Sequence, residues 1–513
     1  MGANSVHCCK YAGAIRFAIA PYALCVLRII RRERARKQIA VTPDRNPWLE
    51  GLIRPTLRPY SERAPLALES VGRLLDRLGN PHARLRVIHI AGSKGKGATA
   101  LMIEALLEAA GLRTGTFTSP HLERWTERFR VDGREIAQAD LDQASEHLRP
   151  HVDELSREYP QNPPSFFDVL TAMALWLFER RGVDVAIIEA GIGGRYDATN
   201  IVRPEVTCIT NIELEHSDKL GTDLASIAGH KAGILKPGAV AVLGSFDPAP
   251  EKVIREKVNE AGCKAVWLGV DFEISRGHEG GNGTLGYRSG AFSVEFVLPH
   301  PGRHMAENAA LAMACAQRFG GVEKARLKNA AGALSNIALP GRIEILRAAP
   351  WWIVDCAHTN RSIAALAQVL DALPASDRHY LVSLSGNKTI DLLAPLLDTA
   401  ASITVTSPEP LRSASAARLA ALISTRYPET ELCIDNNVEF ALESAKSRLR
   451  HSSLLCATGS TYIAGASRRL LLSSADGTGV KASADRSSMI SGTRRQEDGP
   501  CPSIDSPIHF AAE

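Results

Sequence analysis

Gly92-Ser93-Lys94-Gly95-Lys96-Gly97 follows a buried apolar run, Arg86–Ala91 (RVIHIA), and precedes an Ala/Leu-rich stretch. A glycine-rich turn between strand and helix aims backbone N–H groups and the positive helix end at phosphate oxygens, and Lys96 can reach a transferred phosphoryl group. The spacing is Gly92-x-x-Gly95-Lys96 rather than GxxxxGK[ST], so the strand–loop–helix context carries this reading. A tight turn with a solvent lysine is the plainer alternative. Three further segments follow short strand-like runs: Thr118-Ser119-Pro120-His121, Glu189 to Arg195, and Glu215-His216. Strand ends of a parallel sheet converge on one edge, where ligands bind. A hydroxyl, a carboxylate and an imidazole gathered there suit Mg²⁺ beside a triphosphate. Each also has a plainer role: Ser119 capping a turn, His216 satisfied in the core, Glu189 paired with Arg195.

The elements that must position these groups read as follows. Ala64–Leu78 is an amphipathic helix, Arg86–Ala91 a buried strand, and Ala98–Ala110 the helix after the glycine turn. Helix Phe166–Arg181 leads into strand Val183–Glu189, and strand Glu205–Thr210 follows. Strands alternating with helices predict a mostly parallel sheet covered on both faces. Gly277–Gly290 reads as hairpin turns at the edge. Helices Glu307–Arg318 and Ala325–Ser335 close this first unit, and Pro340-Gly341 marks a hinge. Beyond it, Trp352–Asp355, Tyr380–Leu384, Ile403–Thr406 and Leu454–Ala457 are four strand-like runs of a smaller α/β domain. The divisions are an extension over 1–45, a central domain over 46–338, a C-terminal domain over 339–472, and a polar tail over 473–513 expected to be disordered.

Bulk properties set the outer bounds. A chain of 513 residues with 45% apolar content has room for two or three cores. A net charge of +4 without a long basic block argues against nucleic acid as partner. The ten cysteines form no CxxC pair or regular framework, which fits a reducing, cytoplasmic setting and argues against structural zinc and a disulfide scaffold. Tyr11–Ile30 is largely apolar but carries Arg16 and Arg28, with the basic run Arg31–Lys37 behind it, so a membrane span is not expected. A surface anchor and an over-extended start are both open, and a dispensable extension is the plainest reading.

The ordered segments AGSKGKG, TSPHLERWTERFRVDG, IIEAGIGGRYDATN, ITNIELEHSDKLGTDLASIAGHKAGILKPG, HMAENAALA, LPGRIE, DCAHTNRS and TGSTYI together resemble the folylpolyglutamate synthase/dihydrofolate synthase family, within the Mur ligase superfamily. The likeness runs from about residue 50 to 470. It implies an α/β fold: a P-loop-type parallel-sheet ATP-binding domain plus a smaller, Rossmann-like C-terminal domain. The implied reaction is amide ligation of L-glutamate to dihydropteroate or folate (poly)glutamates, with ATP and Mg²⁺, optionally K⁺, as cofactors. A monomer acting on small molecules, without membrane or nucleic acid, completes the expectation.

Carried over by position, Gly92, Ser93, Lys94, Gly95, Lys96 and Gly97 would hold ATP phosphates, and Asn308, Arg342, Asp355 and His358 would contact the nucleotide. Ser119, Glu189, His216 and Lys231 would ligate the metal, with Lys96, Lys231 and His216 as the catalytic set. Lys231 matches a lysine that is carbamylated in relatives; CO₂ capture turns a useless ammonium into an oxygen ligand. Ser165, Phe166, Phe167, Asp168, Tyr196, Asp197 and Ala198 would bind the pteroate, an aromatic pair being suited to a flat ring. The implied chemistry needs no nucleophilic side chain: a carboxylate attacks the γ-phosphate, and the amine of glutamate displaces phosphate.

Several positions depart from the family pattern. Ala98 stands where Ser/Thr is usual, with Thr99 behind it as a substitute oxygen, and Lys94 where Asn is usual. Asp168 replaces Glu, Met305 replaces Gln, and Cys356 and Thr359 replace Gly and Asn. Glu215 replaces Asp, and His230 replaces Glu. Two other readings stay in view: another Mur-type amino-acid ligase, and a non-catalytic nucleotide-binding relative.

Overall fold

A computed structural model describes residues 46–53, 60–276, 283–385, 388–408 and 413–476. Residues 1–45, and with them the expected extension, lie outside it.

The first sheet is built from β1 (Val87–Ala91), β2 (Thr114–Phe117), β3 (Phe129–Val131), β4 (Arg134–Glu135), β5 (Val185–Glu189), β6 (Val206–Ile209), β7 (Val240–Leu243) and β8 (Lys264–Trp267). Their order is β4-β3-β2-β5-β1-β6-β7-β8. The run from β2 to β8 is parallel, and β3 and β4 add an antiparallel edge. β1 (VIHIA) and β5 (VAIIE) are buried at all five positions, as strands covered on both faces require.

One face packs on helix Lys96–Ala109, whose Met102, Ile103, Leu106 and Leu107 have no exposure. Each such side chain contributes about 1.5–3 kcal/mol by leaving water. Helix Arg303–Arg318 lies against it, and the small Ala309, Ala310, Ala312, Ala314 and Ala316 make that layer thin. The other face carries the helices Tyr60–Arg77, Gln138–Glu158 and Phe166–Arg181. Helix Phe166–Arg181 matches its sequence-predicted bounds, and Tyr60–Arg77 begins four residues before the predicted Ala64.

β9 (Glu273–Arg276), β10 (Thr284–Ser289) and β11 (Phe292–Val297) form a separate antiparallel sheet. The glycine-rich stretch read as hairpin turns is partly strand β10, and its residues 277–282 lie outside the described part.

The second domain holds β12 (Glu344–Ala348), β13 (Trp351–Val354), β14 (Arg378–Val382), β15 (Ser402–Val405), β16 (Glu431–Ile434) and β17 (Leu454–Thr458). Their order is β12-β13-β17-β14-β15-β16, parallel except for β12. Four of the six strands were expected. β12 and β16 escaped because they are edges: Glu344, Arg347 and Glu431 break the apolar run, as edge positions permit. The last helix, Thr461–Asp476, continues past Ser473, where the polar tail was expected to begin. The tail beyond Asp476 lies outside the described residues.

Candidate functional site

β2, β5, β1 and β6 are consecutive neighbours, so the segments leaving their C-terminal ends emerge side by side. These segments carry Ser119, Glu189, the Gly92–Gly97 loop and His216. The loop needs two glycines for different reasons. Gly95 caps the following helix at φ +81, and a Cβ there would lie 2.3 Å from Asn308 Oδ1. A Cβ on Gly92, at φ +149, would lie 1.9 Å from Thr210 Oγ1. Only a bare backbone permits both approaches.

The loop is stitched to the segment after β6. Ser93 N–H donates to Asn211 O (2.9 Å), Lys94 N–H to Asn211 Oδ1 (2.8 Å), and Thr210 Oγ1–H to Lys94 O (2.6 Å). Ser93 Oγ accepts from Glu213 N–H at 2.9 Å. Lys96 Nζ donates to Gly92 O at 2.9 Å. Thr99, weighed above as a substitute oxygen for Ala98, is wholly buried with its hydroxyl unpartnered among the described residues. It is therefore shut off from the open side of the loop.

Glu189 is buried beside this loop: its Oε2 accepts from Ser119 N–H at 3.0 Å and would lie 3.2 Å from a Cβ on Gly97. Burial raises its pKa, and Lys96, Arg342 and Arg128 pull the other way. The plainer role as partner of Arg195 does not hold, since Arg195 is exposed and lies over the Tyr196 ring at 5.9 Å. His216 is no core histidine either. It is exposed and stands at φ +48, a strained backbone for a residue with a Cβ, at the start of the short helix Ser217–Leu220. Among the described residues no three His, Cys, Asp or Glu side chains converge as a metal cage. A carboxylate, a serine hydroxyl and a histidine fit a cation that keeps much of its coordination for water and phosphate oxygens, as Mg²⁺ does.

Lys231 ends helix Leu224–Lys231 at 1% exposure. Its Nζ donates to Gly92 O and to Glu215 Oε1, both at 2.8 Å. Burial pulls its pKa down to about 8, against the pull of Glu215. Glu215 is driven the opposite way: burial would raise it, but Lys231, Lys96 and Lys94 hold it near 2. Two acceptors around Nζ match an ammonium. A carbamate fits only if Glu215 turns from Lys231 toward Lys94, whose Nζ is 3.5 Å from the other carboxylate oxygen.

The second domain closes over the loop through a contact that the sequence did not suggest. Lys94 Nζ lies 2.9 Å from His358 Nε2, and His358 Nδ1 lies 2.7 Å from Cys356 O. A carbonyl only accepts, so Nδ1 carries the proton and Nε2 accepts from Lys94. Burial, then Lys94 and Lys388, push the His358 pKa down to about 3, which keeps the ring neutral. Asp355 accepts from Ile343 N–H and Ala357 N–H, both 2.7 Å, and burial raises its pKa to about 6. Arg342 is placed electrostatically between Asp355 and Glu189. Asn308 and His358 thus meet the loop from two domains, with Arg342 beside Glu189 and Asp355.

The segments expected to bind pteroate divide in two. Phe166 and Tyr196 are half-buried, with the Phe166 ring 5.6 Å from Trp125 and the Tyr196 ring 5.9 Å from His230. Ser165 and Asp168 are engaged locally: Ser165 N–H donates to Asp168 Oδ2 (2.8 Å) and Asp168 N–H to Ser165 Oγ (3.2 Å), a reciprocal helix cap. Asp197, next to the buried Ala198, binds the N–H groups of Gly191, Ile192 and Thr199 and so fixes the glycine-rich turn. Phe167 packs on Phe117 at 6.0 Å and beneath Gly191.

Sequence reasoning passed over Arg128, although it stands inside the quoted TSPHLERWTERFRVDG segment. It is 6% exposed, within electrostatic reach of Glu189, and its Nε donates to His121 Nδ1 at 2.9 Å. Glu127 beside it accepts from the N–H groups of Leu122 (2.7 Å), Glu123 (3.0 Å) and Arg124 (2.9 Å) and so holds the loop's shape.

Known proteins match this arrangement along most of its length. The family model for the Mur ligase middle domain covers residues 90–316, and that for the Mur ligase glutamate ligase domain covers 341–461. A Mycobacterium tuberculosis relative, a dihydrofolate synthase/folylpolyglutamate synthase, is 33% identical over 438 residues, 79% of this chain and 90% of its own. The chain belongs to the folylpolyglutamate synthase/dihydrofolate synthase family. A Haloferax volcanii relative, a probable bifunctional folylpolyglutamate synthase/dihydropteroate synthase, is 32% identical over 410 residues. This chain spans 48% of that longer protein. A family structure from Yersinia pestis, complexed with AMPPNP and a Mn ion, has a TM-score of 0.71 at 28% identity, covering 84% of this chain and all of that one. Among the described residues no helix is long and apolar enough to cross a membrane.

Proposed function

We propose that this chain is an ATP-dependent, ADP-forming ligase that joins L-glutamate to dihydropteroate, to folate (poly)glutamates, or to both, as a cytoplasmic monomer. One observation carries the reading: the phosphate loop with Lys96, the buried Glu189 and the second domain's His358 and Arg342 meet at the ends of four adjacent strands. The γ-phosphoryl group lies against the N–H groups of Gly92–Gly97 at the start of helix Lys96–Ala109, with Lys96 facing charge that grows during transfer. A substrate carboxylate oxygen bonds to the γ-phosphorus as the bond to the ADP oxygen breaks. The glutamate amine then attacks the acyl carbon, phosphate leaves, and the amide remains after loss of a proton. Mg²⁺ held by Ser119, Glu189, His216 and a carbamylated Lys231, with K⁺ as an optional second cation, would neutralise phosphate charge. The lowered pKa of Lys231 favours the neutral amine that captures CO₂, and mass spectrometry after CO₂ trapping should find the added carboxyl there. Phe166 and Tyr196 offer partly open rings for a flat pterin. Closure of the second domain, marked by the Lys94–His358 contact, keeps water from the acyl phosphate.

The test is purified protein with ATP, Mg²⁺ and labelled glutamate, offered dihydropteroate and tetrahydrofolate separately. Label is expected in the product of at least one acceptor. Release of ADP with no labelled folate from either would end the reading.

A further inference from the structure

We propose that Arg128 is the residue that holds the substrate carboxylate while it is activated. This rests on the ligase reading above and names a residue to which no role has been given. Buried guanidinium groups are normally matched by carboxylates, because a desolvated cation is costly alone. The neighbours of Arg128 follow that rule. Arg124 pairs with Glu135 at 2.9 Å, Arg130 with Glu104 at 2.9 Å, and Arg468 with Glu123 at 2.5 Å. Arg128 is 6% exposed, yet among the described residues no carboxylate oxygen lies within 4.0 Å of it. Among the described residues its one side-chain hydrogen bond is to the imidazole of His121. The rings of Trp125 and Phe166 lie 5.4 Å and 5.9 Å from the guanidinium carbon, and Glu189 and Glu127 act on it only at longer range.

Position decides which anion it serves. Lys94 and Lys96 belong to the Gly92–Gly97 loop, and Arg342 stands with Asp355 of the second domain. Arg128 lies within electrostatic reach of Glu189 and beside the rings of Trp125 and the half-buried Phe166. A cation bordered by flat rings on one side and by the phosphate-transfer site on the other suits an aromatic acid. The rings take the aryl group, and the planar fork binds the carboxylate with one oxygen turned to the phosphorus.

A cycle that removes each partner in turn tests this. Dissociation constants are measured, with ADP present, for dihydropteroate and for the same compound with hydrogen in place of its carboxylate. Wild type is expected to prefer the acid by about thirtyfold or more, the scale of a lost buried charge pair. Arg128→Gln, which keeps a donor for His121, should bind ADP normally and bring the preference to within about threefold. An Arg128→Gln protein that binds ADP and keeps the wild-type preference overturns the assignment, and so does a wild type indifferent to the carboxylate. Should Arg128→Gln not bind ADP, Arg128→Lys is read instead. It keeps the charge but loses the fork, so the preference should fall by roughly tenfold, and an unchanged preference overturns the proposal. Absence of ligation by wild type would sink the ligase reading; ligation with an intact preference in the variants sinks only the role of Arg128.

Discussion

Gly92 O accepts from both Lys96 (2.9 Å) and Lys231 (2.8 Å), so two lysine amines meet at one point of the Gly92–Gly97 loop. Lys96→Ala removes the one that can swing to the transferred phosphoryl group. Turnover should fall by about a hundredfold or more while the thermal midpoint stays near that of wild type. Near-normal turnover would show that the loop is only a turn. Glu189→Gln keeps the size of the side chain and its acceptor for Ser119 N–H but removes the charge. The Mg²⁺ concentration for half-maximal rate should rise more than the glutamate KM, and unchanged Mg²⁺ titrations would make Glu189 structural. The loop was legible in the sequence because its glycines and lysines are contiguous. The Lys94–His358 contact was not, because its partners are 264 positions apart. Arg128 looked ordinary until its burial without a carboxylate was visible.

Helix Phe166–Arg181 shows how an element's bounds can be legible while the local engagement of its first residues is not. Its apolar run fixes the bounds, while Ser165-x-x-Asp168 carries the signature of a reciprocal cap. The resemblance implies substrate contact for those two side chains, and in the structure they also hydrogen-bond each other. Burial pushes the Asp168 pKa up to about 6, against the pull of Ser165, from an ordinary value of 3.8. Below about pH 4 the acid is protonated folded or unfolded, and the cap incurs no charge penalty. Between pH 4 and 6 the unfolded chain ionises first, so stability is lost as pH rises through the folded value. Asp168→Asn should escape this loss. Relative to wild type it should gain up to about 3 kcal/mol between pH 4 and 7 in urea denaturation. A difference that does not change with pH would refute the buried, protonated cap. Edge strands β12 and β16 were illegible for a related reason, since local pattern records burial and edges have little.

At the scale of the molecule, the two domains are joined by more than the hinge at Pro340-Gly341. Arg468, 4% exposed, pairs with Glu344 of its own domain at 2.8 Å and with Glu123 of the first at 2.5 Å. A Cβ on Gly465 would stand 2.1 Å from Leu122 O, so the last helix lies on the segment that carries Ser119. Arg468→Met takes the nearest cation from two largely buried carboxylates, leaving Glu123, among the described residues, only Arg124 at 3.8 Å. It should cost about 3 kcal/mol in urea unfolding. An unchanged midpoint would mean that the contact does not hold the domains together. Alternation of strand and helix made both domains legible, but not their closure, which depends on single side chains brought together by the fold. The central claim, that a carboxylate is activated by phosphoryl transfer, has a direct measurement. Dihydropteroate labelled with ¹⁸O in its carboxylate is turned over with ATP, Mg²⁺ and glutamate, and the released phosphate is weighed by mass spectrometry. An acyl phosphate carries one labelled oxygen into each phosphate. Glutamylated product accompanied by unlabelled phosphate would contradict it.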